Sequence, residues 1–300
     1  MAANSLSYQF KTANIAIKLI VINVAVFILL NLIPSLFGTR FSLVQWLTLP
    51  DSFSEFITQP WSLITYAFLH GGFFHILFNM YFLYIFSRFI LNLFTEKRLL
   101  TLYLLGGIAG GVLYMISYSI FPELIKKSGG SLLGASAAVM ALIVFIATYT
   151  PNTGIRFFVF NFKLWQIAAF YVISDLVQVS LGTDDNMGGL ISHLGGAAFG
   201  YVYAMQLVKG NDIGLWFEKL MDTVSSWFSS KPKQKKTKMR TVHRSAKKPS
   251  TKNTKTRQNS VTKSDQQQQI DAILDKISKS GYESLSKAEK DFLFKAGKDN

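Results

Sequence analysis

With 300 residues, half of them apolar and 26 of them Phe, the chain has the composition of a membrane protein and not of two ordinary soluble domains. It contains no Cys, which excludes disulfides, thiolate catalysis and Cys-ligated metal sites, and we expect neither a metal nor another cofactor. The formal net charge of +14 does not indicate a nucleic-acid-binding domain, because 13 Lys/Arg and no Asp/Glu fall within residues 231–263.

Six apolar runs are long enough to cross a bilayer, which takes about 20 residues at about 1.5 Å each. The sequence therefore predicts an all-α membrane protein, with a bundle of six transmembrane helices over residues 15–209 after an N-terminal segment, 1–14. The predicted spans cover residues 15–33, 72–91, 99–121, 131–149, 163–181 and 190–208.

Basic residues indicate the orientation of these spans. Because Lys and Arg accumulate on the cytoplasmic side of a membrane, both termini are predicted to be cytoplasmic, and even-numbered spans run from outside to inside. The opposite side carries Arg40, Lys126 and Lys127 among acidic residues. The residues assigned to the cytoplasmic side are Lys11, Lys18, Arg88, Lys97, Arg98, Arg156 and Lys163.

Four polar side chains are predicted at one depth in the outer half of the bundle. Ser136 lies about five residues into span four and His193 three residues into span six, while His75 and Asn79 lie in the outer half of span two. Polar groups in spans are costly and usually face the bundle interior or a water-filled cavity. Any one of them could simply hold helices together, but their coincidence in depth indicates a site.

Small residues surround the serine and the histidine. Gly134 and several Ala flank Ser136, and Gly196 and Gly200 follow His193 at a GxxxG spacing that lets helix backbones approach closely. We therefore expect spans four and six to cross closely, with the Ser hydroxyl within hydrogen-bond distance of the imidazole, as general-base activation requires. The glycines of span three, residues 106–111, are interpreted as packing positions without chemistry.

These residues carry a resemblance to the rhomboid family of intramembrane serine proteases. The run from His70 to Asn79 resembles the family's span-two signature, Glu96 to Leu99 its turn before span three, residues 134–137 its GxSx motif, and His193 with Gly196 and Gly200 its span-six motif. The resemblance implies that Ser136 is the nucleophile and His193 its base, a dyad without an acid partner. It further implies an oxyanion hole of His75, Asn79 and the backbone N–H of Ser136, and roles in substrate approach and packing for the glycines 134, 196 and 200.

The implied activity is that of a serine endopeptidase that cuts transmembrane segments of other membrane proteins near the outer interface through an acyl-enzyme. The implied location is a bacterial inner (plasma) membrane. An alternative is a catalytically inactive rhomboid-like protein that binds or escorts membrane helices, and a more distant one is a small-solute transporter.

Two residues near the predicted site depart from simple expectations. Met140 stands where several family members have a Tyr that stacks on the catalytic His, which leaves open what orients His193. Asp175, near the outer end of span five, is interpreted as a polar contact near the helix end, with a third triad member as the alternative.

Two connecting segments are predicted to affect access to the site. Residues 34–60 mix aromatic and polar residues and are expected to lie in the membrane interface. The loop over 182–189 contains several Gly and is either a movable cap above His193 or an ordinary flexible turn.

Three segments are predicted after the bundle. Residues 210–230 form an amphipathic juxtamembrane helix. Residues 231–264 form a basic disordered linker that binds anionic lipid headgroups, with a passive spacer or a nucleic-acid contact as alternatives. Residues 265–300 form a helical hairpin in which Gly281 ends the first helix and Ser286 with Glu289 begins the second as a capping box, a module that resembles C-terminal tails of some bacterial rhomboids.

Overall fold

The computed structural model describes residues 5–38, 43–121, 130–157, 159–182, 186–228 and 263–296. The chain divides into two compact units, Met1–Pro232 and Lys233–Asn300. Residues 231–262 of the predicted lipid-binding linker lie outside the described residues. So do Arg40, Lys126 and Lys127, and residues 183–185 of the predicted cap.

The first unit consists of helices with one short β-hairpin. Asn14 caps the N-terminus of α2, where its side-chain oxygen accepts a hydrogen bond from the N–H of Ile17, and Thr95 caps α7 in the same way. The helices are α1 (Leu6–Thr12), α2 (Ile15–Leu36), α3 (Leu43–Leu47), α4 (Phe53–Thr58), α5 (Ser62–Thr65), α6 (Phe73–Leu91), α7 (Glu96–Ile120), α8 (Ser136–Tyr149), α9 (Leu164–Leu181), α10 (Met187–Val208) and α11 (Leu215–Phe228).

Four of these helices, α2, α6, α7 and α9, are long and apolar enough to cross a membrane by length and composition. Helix α8 is apolar but has only 14 residues. The predicted all-α membrane bundle is therefore confirmed, whereas the count of six spans stays a prediction. An antiparallel hairpin of Gly154–Phe157 (β1) with Phe160–Lys163 (β2) connects α8 to α9.

Helix α8 forms the centre of the bundle. Its residues from Ala137 to Ala147 are all buried, and they share a core with Leu83 and Phe86 of α6 and with Leu102 of α7. A helix that is apolar on every side is expected to be surrounded by other helices. The outer helices shield α8 from lipid and hold both of its ends at defined positions.

Contacts at one end of the bundle agree with the predicted orientation of the spans. Glu96 accepts a hydrogen bond from the N–H of Ile15 at 3.0 Å, which joins the starts of α7 and α2. Arg98 forms an ion pair with Asp212 in the segment after α10, and Lys97 pairs with Asp222 of α11. The starts of α2 and α7 and the segment after α10 thus share one end of the bundle.

Helix α11 lies within the predicted juxtamembrane segment, and it begins at Leu215 and not at residue 210. Three large side chains at helical spacing, Trp216, Leu220 and Trp227, are exposed. Glu218 and Asp222 face the basic residues of α7. An exposed apolar stripe beside such a polar face is typical of a helix that lies on a membrane surface.

The second unit contains the predicted helical hairpin. Its helices are α12 (Lys263–Ser280) and α13 (Lys287–Ala296), and Gly281 between them has a φ of +76°. The capping box is present, because Ser286 N–H donates to Glu289 Oε2 at 2.7 Å and Glu289 N–H donates to Ser286 Oγ at 3.3 Å. The first helix begins at Lys263, so it includes the last two residues that the sequence assigns to the linker.

Candidate active site

Ser136 is the first residue of α8, and the prediction that it lies about five residues inside a helix is wrong. Residues 131–135 enter the bundle as irregular backbone, because Gly134 adopts a φ of +133° that a helix cannot contain. A helix of 14 residues spans about 21 Å, roughly 9 Å less than the hydrocarbon core. Ser136 therefore lies where the irregular segment meets a helix that is too short to cross the hydrocarbon alone.

Hydrogen bonds satisfy the backbone of this entering loop. Leu132 and Leu49 exchange two of them, at 2.7 and 3.0 Å, and the N–H of Gly134 donates to the carbonyl of Tyr66 at 2.9 Å. Irregular backbone is tolerated at membrane depth only where protein supplies such partners. The loop is therefore built into the bundle, and it fixes the start of α8.

Gly134 brings His75 and Ser136 close together. A Cβ on Gly134 would lie 2.8 Å from His75 Nε2 and 3.6 Å from Ser136 Oγ. The sequence predicts that this glycine leaves room for substrate, but the imidazole of His75 already occupies the space. The ring of His70 packs edge-on against His75, with 5.1 Å between centroids.

The predicted site residues line one cavity of about 480 Å³. Ser136, His193, His75 and Asn79 all contribute to its wall. Aromatic residues of α6 and α9, among them Phe78 and Phe170, form two of its sides. The structure thus brings together the four polar residues that the sequence places at one depth.

Helices α8 and α10 cross as closely as their glycines predict. A Cβ on Gly196 would lie 2.8 Å from the carbonyl carbon of Ala137 and closer still to its oxygen, and a Cβ on Gly200 would meet the carbonyl of Ala141 in the same way. These separations are too short for any residue except Gly. The close crossing, which stands beside Ser136 and His193, is confirmed.

His193 contacts Asp175 of α9. Its Nδ1 atom lies 3.2 Å from Asp175 Oδ2, and the carboxylate is 5% exposed. In the described part of the chain no hydrogen bond joins Ser136 to His193, and their hydrogen-bond contact stays a prediction. The interpretation of Asp175 as a contact near the helix end is incomplete, because its partner is the site histidine itself.

The sequence contains a pattern that could have predicted the polar side of α9 that lines the cavity. Tyr171, Ser174, Asp175 and Gln178 all line the cavity, and they occupy positions i, i+3, i+4 and i+7 of the helix. That spacing gives α9 one polar face, and Asp175 is the one acidic residue in its predicted span. Hydropathy alone does not reveal which neighbouring helix this face contacts.

The fold and the cavity define an integral membrane protein with a polar site inside a helical bundle. A family model described as the Rhomboid domain matches residues 58–210, which is half of the chain and contains every residue of the cavity wall. The chain belongs to the rhomboid family, and the resemblance noted in its motifs is confirmed. A second model, for a family of unknown function (DUF6576), matches residues 254–295.

Several curated relatives are similar over the same region. Presenilin-associated rhomboid-like protein A, mitochondrial, of Danio rerio is 30% identical over 149 residues, 49% of this chain and 37% of that protein. The human presenilin-associated rhomboid-like protein, mitochondrial, is 28% identical over 209 residues, 67% of this chain and 52% of that protein. Rhomboid protein 1, mitochondrial, of Saccharomyces cerevisiae is 27% identical over 226 residues, 73% of this chain and 60% of that protein. The chain spans about half the length, or less, of most of these relatives.

Proposed function

We propose that this rhomboid-family protein is an intramembrane serine endopeptidase, which cleaves transmembrane segments of other membrane proteins near the outer membrane interface. Ser136 acts as the nucleophile and His193 as its general base. The observation that carries the proposal is the cavity wall, in which a hydroxyl, an imidazole and two further hydrogen-bond donors converge inside the bundle.

The chemistry follows from these groups. When substrate enters, His193 Nε2 takes the proton of Ser136 Oγ while the oxygen attacks the peptide carbonyl carbon. The imidazolium then gives that proton to the leaving amine, and the acyl-enzyme remains. Water, deprotonated by the same imidazole, attacks the acyl carbon and releases the carboxyl product with Ser136 restored. The absence of a Ser136–His193 hydrogen bond is compatible with this role, because such bonds are often formed only in the substrate complex.

Three donors are placed to stabilise the oxyanion. The N–H of Ser136 has no acceptor within its own helix, because it belongs to the first turn. Asn79 Nδ2 donates to the carbonyl of His75 at 2.8 Å, which leaves the second N–H of the amide for substrate. The imidazole of His75 supplies the third donor through a ring N–H.

The walls of the cavity suit a substrate that arrives from the lipid. Phe74 and Phe78 of α6 and Phe170 of α9 are more than half exposed, and side chains of this type favour contact with hydrocarbon. The rings of Phe82 and Tyr171, with 5.4 Å between centroids, join the two helices farther inside. A transmembrane helix that enters here must unwind locally, because a helical peptide bond is shielded from attack.

The orientation and the location are part of the same proposal. Both termini lie in the cytoplasm of a bacterial cell, the active site opens toward the outer leaflet of the inner membrane, and residues 231–263 contact anionic lipids. The relatives reported above carry mitochondrial names. Fractionation of cells that express the native gene is therefore the direct test of which membrane contains the protein. Protection of the C-terminus from external protease in intact cells tests the orientation.

A fluorophosphonate probe tests the catalytic assignment. We expect the purified full-length protein in detergent to be labelled, and Ser136→Ala and His193→Ala to lose labelling. Ser174→Ala, which changes another hydroxyl of the same cavity, is the matched control and keeps its labelling. Labelling of Ser136→Ala, or no labelling of the folded unmutated protein, would favour the alternative of an inactive rhomboid-like protein that binds membrane helices.

A further inference from the structure

Asp175 is a buried carboxylate in a helix that mostly faces lipid. Its neighbours Ile173 and Leu176 are 59% and 48% exposed, whereas Asp175 is 5% exposed. A carboxylate at such a position is costly unless a partner compensates for its lost hydration. The partner in this structure is Nδ1 of His193, at 3.2 Å from Asp175 Oδ2.

Two polar side chains of the same helix are bonded to each other. Gln178 Nε2 donates to Ser174 Oγ at 3.1 Å and to the Ser174 carbonyl at 3.3 Å, so these two side chains satisfy each other. Met140 lines the cavity near the histidine, but a thioether is only a weak acceptor. Asp175 is the one carboxylate among the described residues of the cavity wall.

We propose that Asp175 is a positioning residue for the active site: it accepts a hydrogen bond from Nδ1–H of His193 and thereby holds the imidazole in the tautomer whose Nε2 lone pair accepts the proton of Ser136. The inference rests on the proposed function. A neutral imidazole has one donor and one acceptor nitrogen, so a carboxylate on Nδ1 determines which nitrogen remains free. The dyad implied by the motifs becomes a Ser-His-Asp arrangement supplied by three different helices.

Asp175→Asn tests the role with little change in volume. The Asn amide can donate to Nδ1 and so favours the tautomer with a proton on Nε2, which cannot act as a base. We expect the rate of fluorophosphonate labelling to fall at least tenfold. The upper limit is about 10⁴-fold, which is the loss in kcat that an Asp-to-Asn change produces in a Ser-His-Asp triad. With a cleavable transmembrane substrate, kcat should fall while KM changes by less than about twofold. Ser180→Ala, on the same helix but exposed and outside the cavity wall, is the matched control.

Nitrogen NMR of histidine provides a readout that does not depend on activity. The chain has four His residues, so the His193 signals of the full-length protein in micelles can be assigned by difference with His193→Ala. We expect the neutral form of His193 to carry its proton on Nδ1 in the unmutated protein, with a shift toward Nε2 protonation in Asp175→Asn. A spectrum of the unmutated protein with His193 protonated on Nε2 would overturn the proposal even if the variant failed to fold.

The outcomes separate the two proposals. If the unmutated protein is not labelled by fluorophosphonate, the proposed protease function fails, while the NMR spectrum still reports whether Asp175 sets the tautomer. If the protein is labelled and Asp175→Asn reacts within twofold of it, the positioning role is overturned. A slower reaction with an unchanged tautomer also overturns it, because that result identifies a purely structural contact.

Discussion

The close approach of α10 to α8 makes Gly196 the most sensitive small residue beside the site. In Gly196→Ala, the new Cβ would lie 2.8 Å from the carbonyl carbon of Ala137 and 3.2 Å from its Cα. Carbon atoms in ordinary contact stand about 3.5–4.0 Å apart, so the two backbones must separate by about 1 Å. Overpacking of this kind typically costs about 1–3 kcal/mol.

The same displacement is expected to affect chemistry. Ala137 follows Ser136 directly, and Gly196 lies one helical turn after His193, so a separation of the backbones also separates the nucleophile from its base. A misplacement of about 1 Å can reduce a rate by about 10²-fold. We therefore expect Gly196→Ala to lower the unfolding free energy, measured by SDS titration in micelles, by about 1–3 kcal/mol. We expect the same change to lower the rate of fluorophosphonate labelling by about a hundredfold.

Gly107→Ala on α7 is the matched control. Its Cβ would lie 3.5 Å from the Cβ of Ala67 and 3.8 Å from the Cβ of Ala138, which are ordinary contacts. Replacing a helical Gly with Ala can even stabilise the helix, by up to about 1 kcal/mol. If Gly196→Ala and Gly107→Ala unfold alike and are labelled alike, the reasoning from backbone separation is refuted.

Three further predictions concern the oxyanion donors, the ion pairs at the α7 end and the C-terminal hairpin. His75→Ala and Asn79→Ala should each lower kcat about 10²–10³-fold because each removes one donor; unchanged kcat for both would exclude their role. Arg98→Ala should lower the unfolding free energy by about 1–3 kcal/mol, because Asp212, whose side chain is 11% exposed, loses a charged partner. Lys97→Ala should lower it by less than about 1 kcal/mol, because the ion pair of Lys97 with Asp222 is exposed. Equal losses in the two variants would contradict this ranking. The backbone N–H of Ser286, together with Lys276, lowers the pKa of Glu289 to about 2. Since that pKa is about 4.3 in an unfolded chain, the capping contact should stabilise the hairpin above about pH 4 and be lost as the pH falls toward 2; amide NMR shifts of Ser286 in the full-length protein should follow this titration and lose it in Glu289→Gln.

The site shows where reasoning from sequence stops. The small residues at 196 and 200 predict a close helix crossing correctly, because Gly has no Cβ to hold two backbones apart. The start of α8 is predicted incorrectly, because residues 132–135 carry no polar side chain. Hydropathy does not distinguish a helix from an irregular segment whose backbone is bonded to Leu49 and Tyr66. Asp175 is visible as an isolated carboxylate, but its partner lies 18 residues away on another helix.

Composition, apolar runs and the order of the motifs determine by themselves that this is a helical membrane protein of the rhomboid family, because burial in lipid and close packing of small residues leave strong local patterns. The tertiary structure alone decides that Ser136 begins a short central helix and that His75 occupies the space beside Gly134. It also decides that Asp175 contacts His193. Each of these depends on contacts between segments distant in the chain, and no local pattern of residues specifies which segments meet.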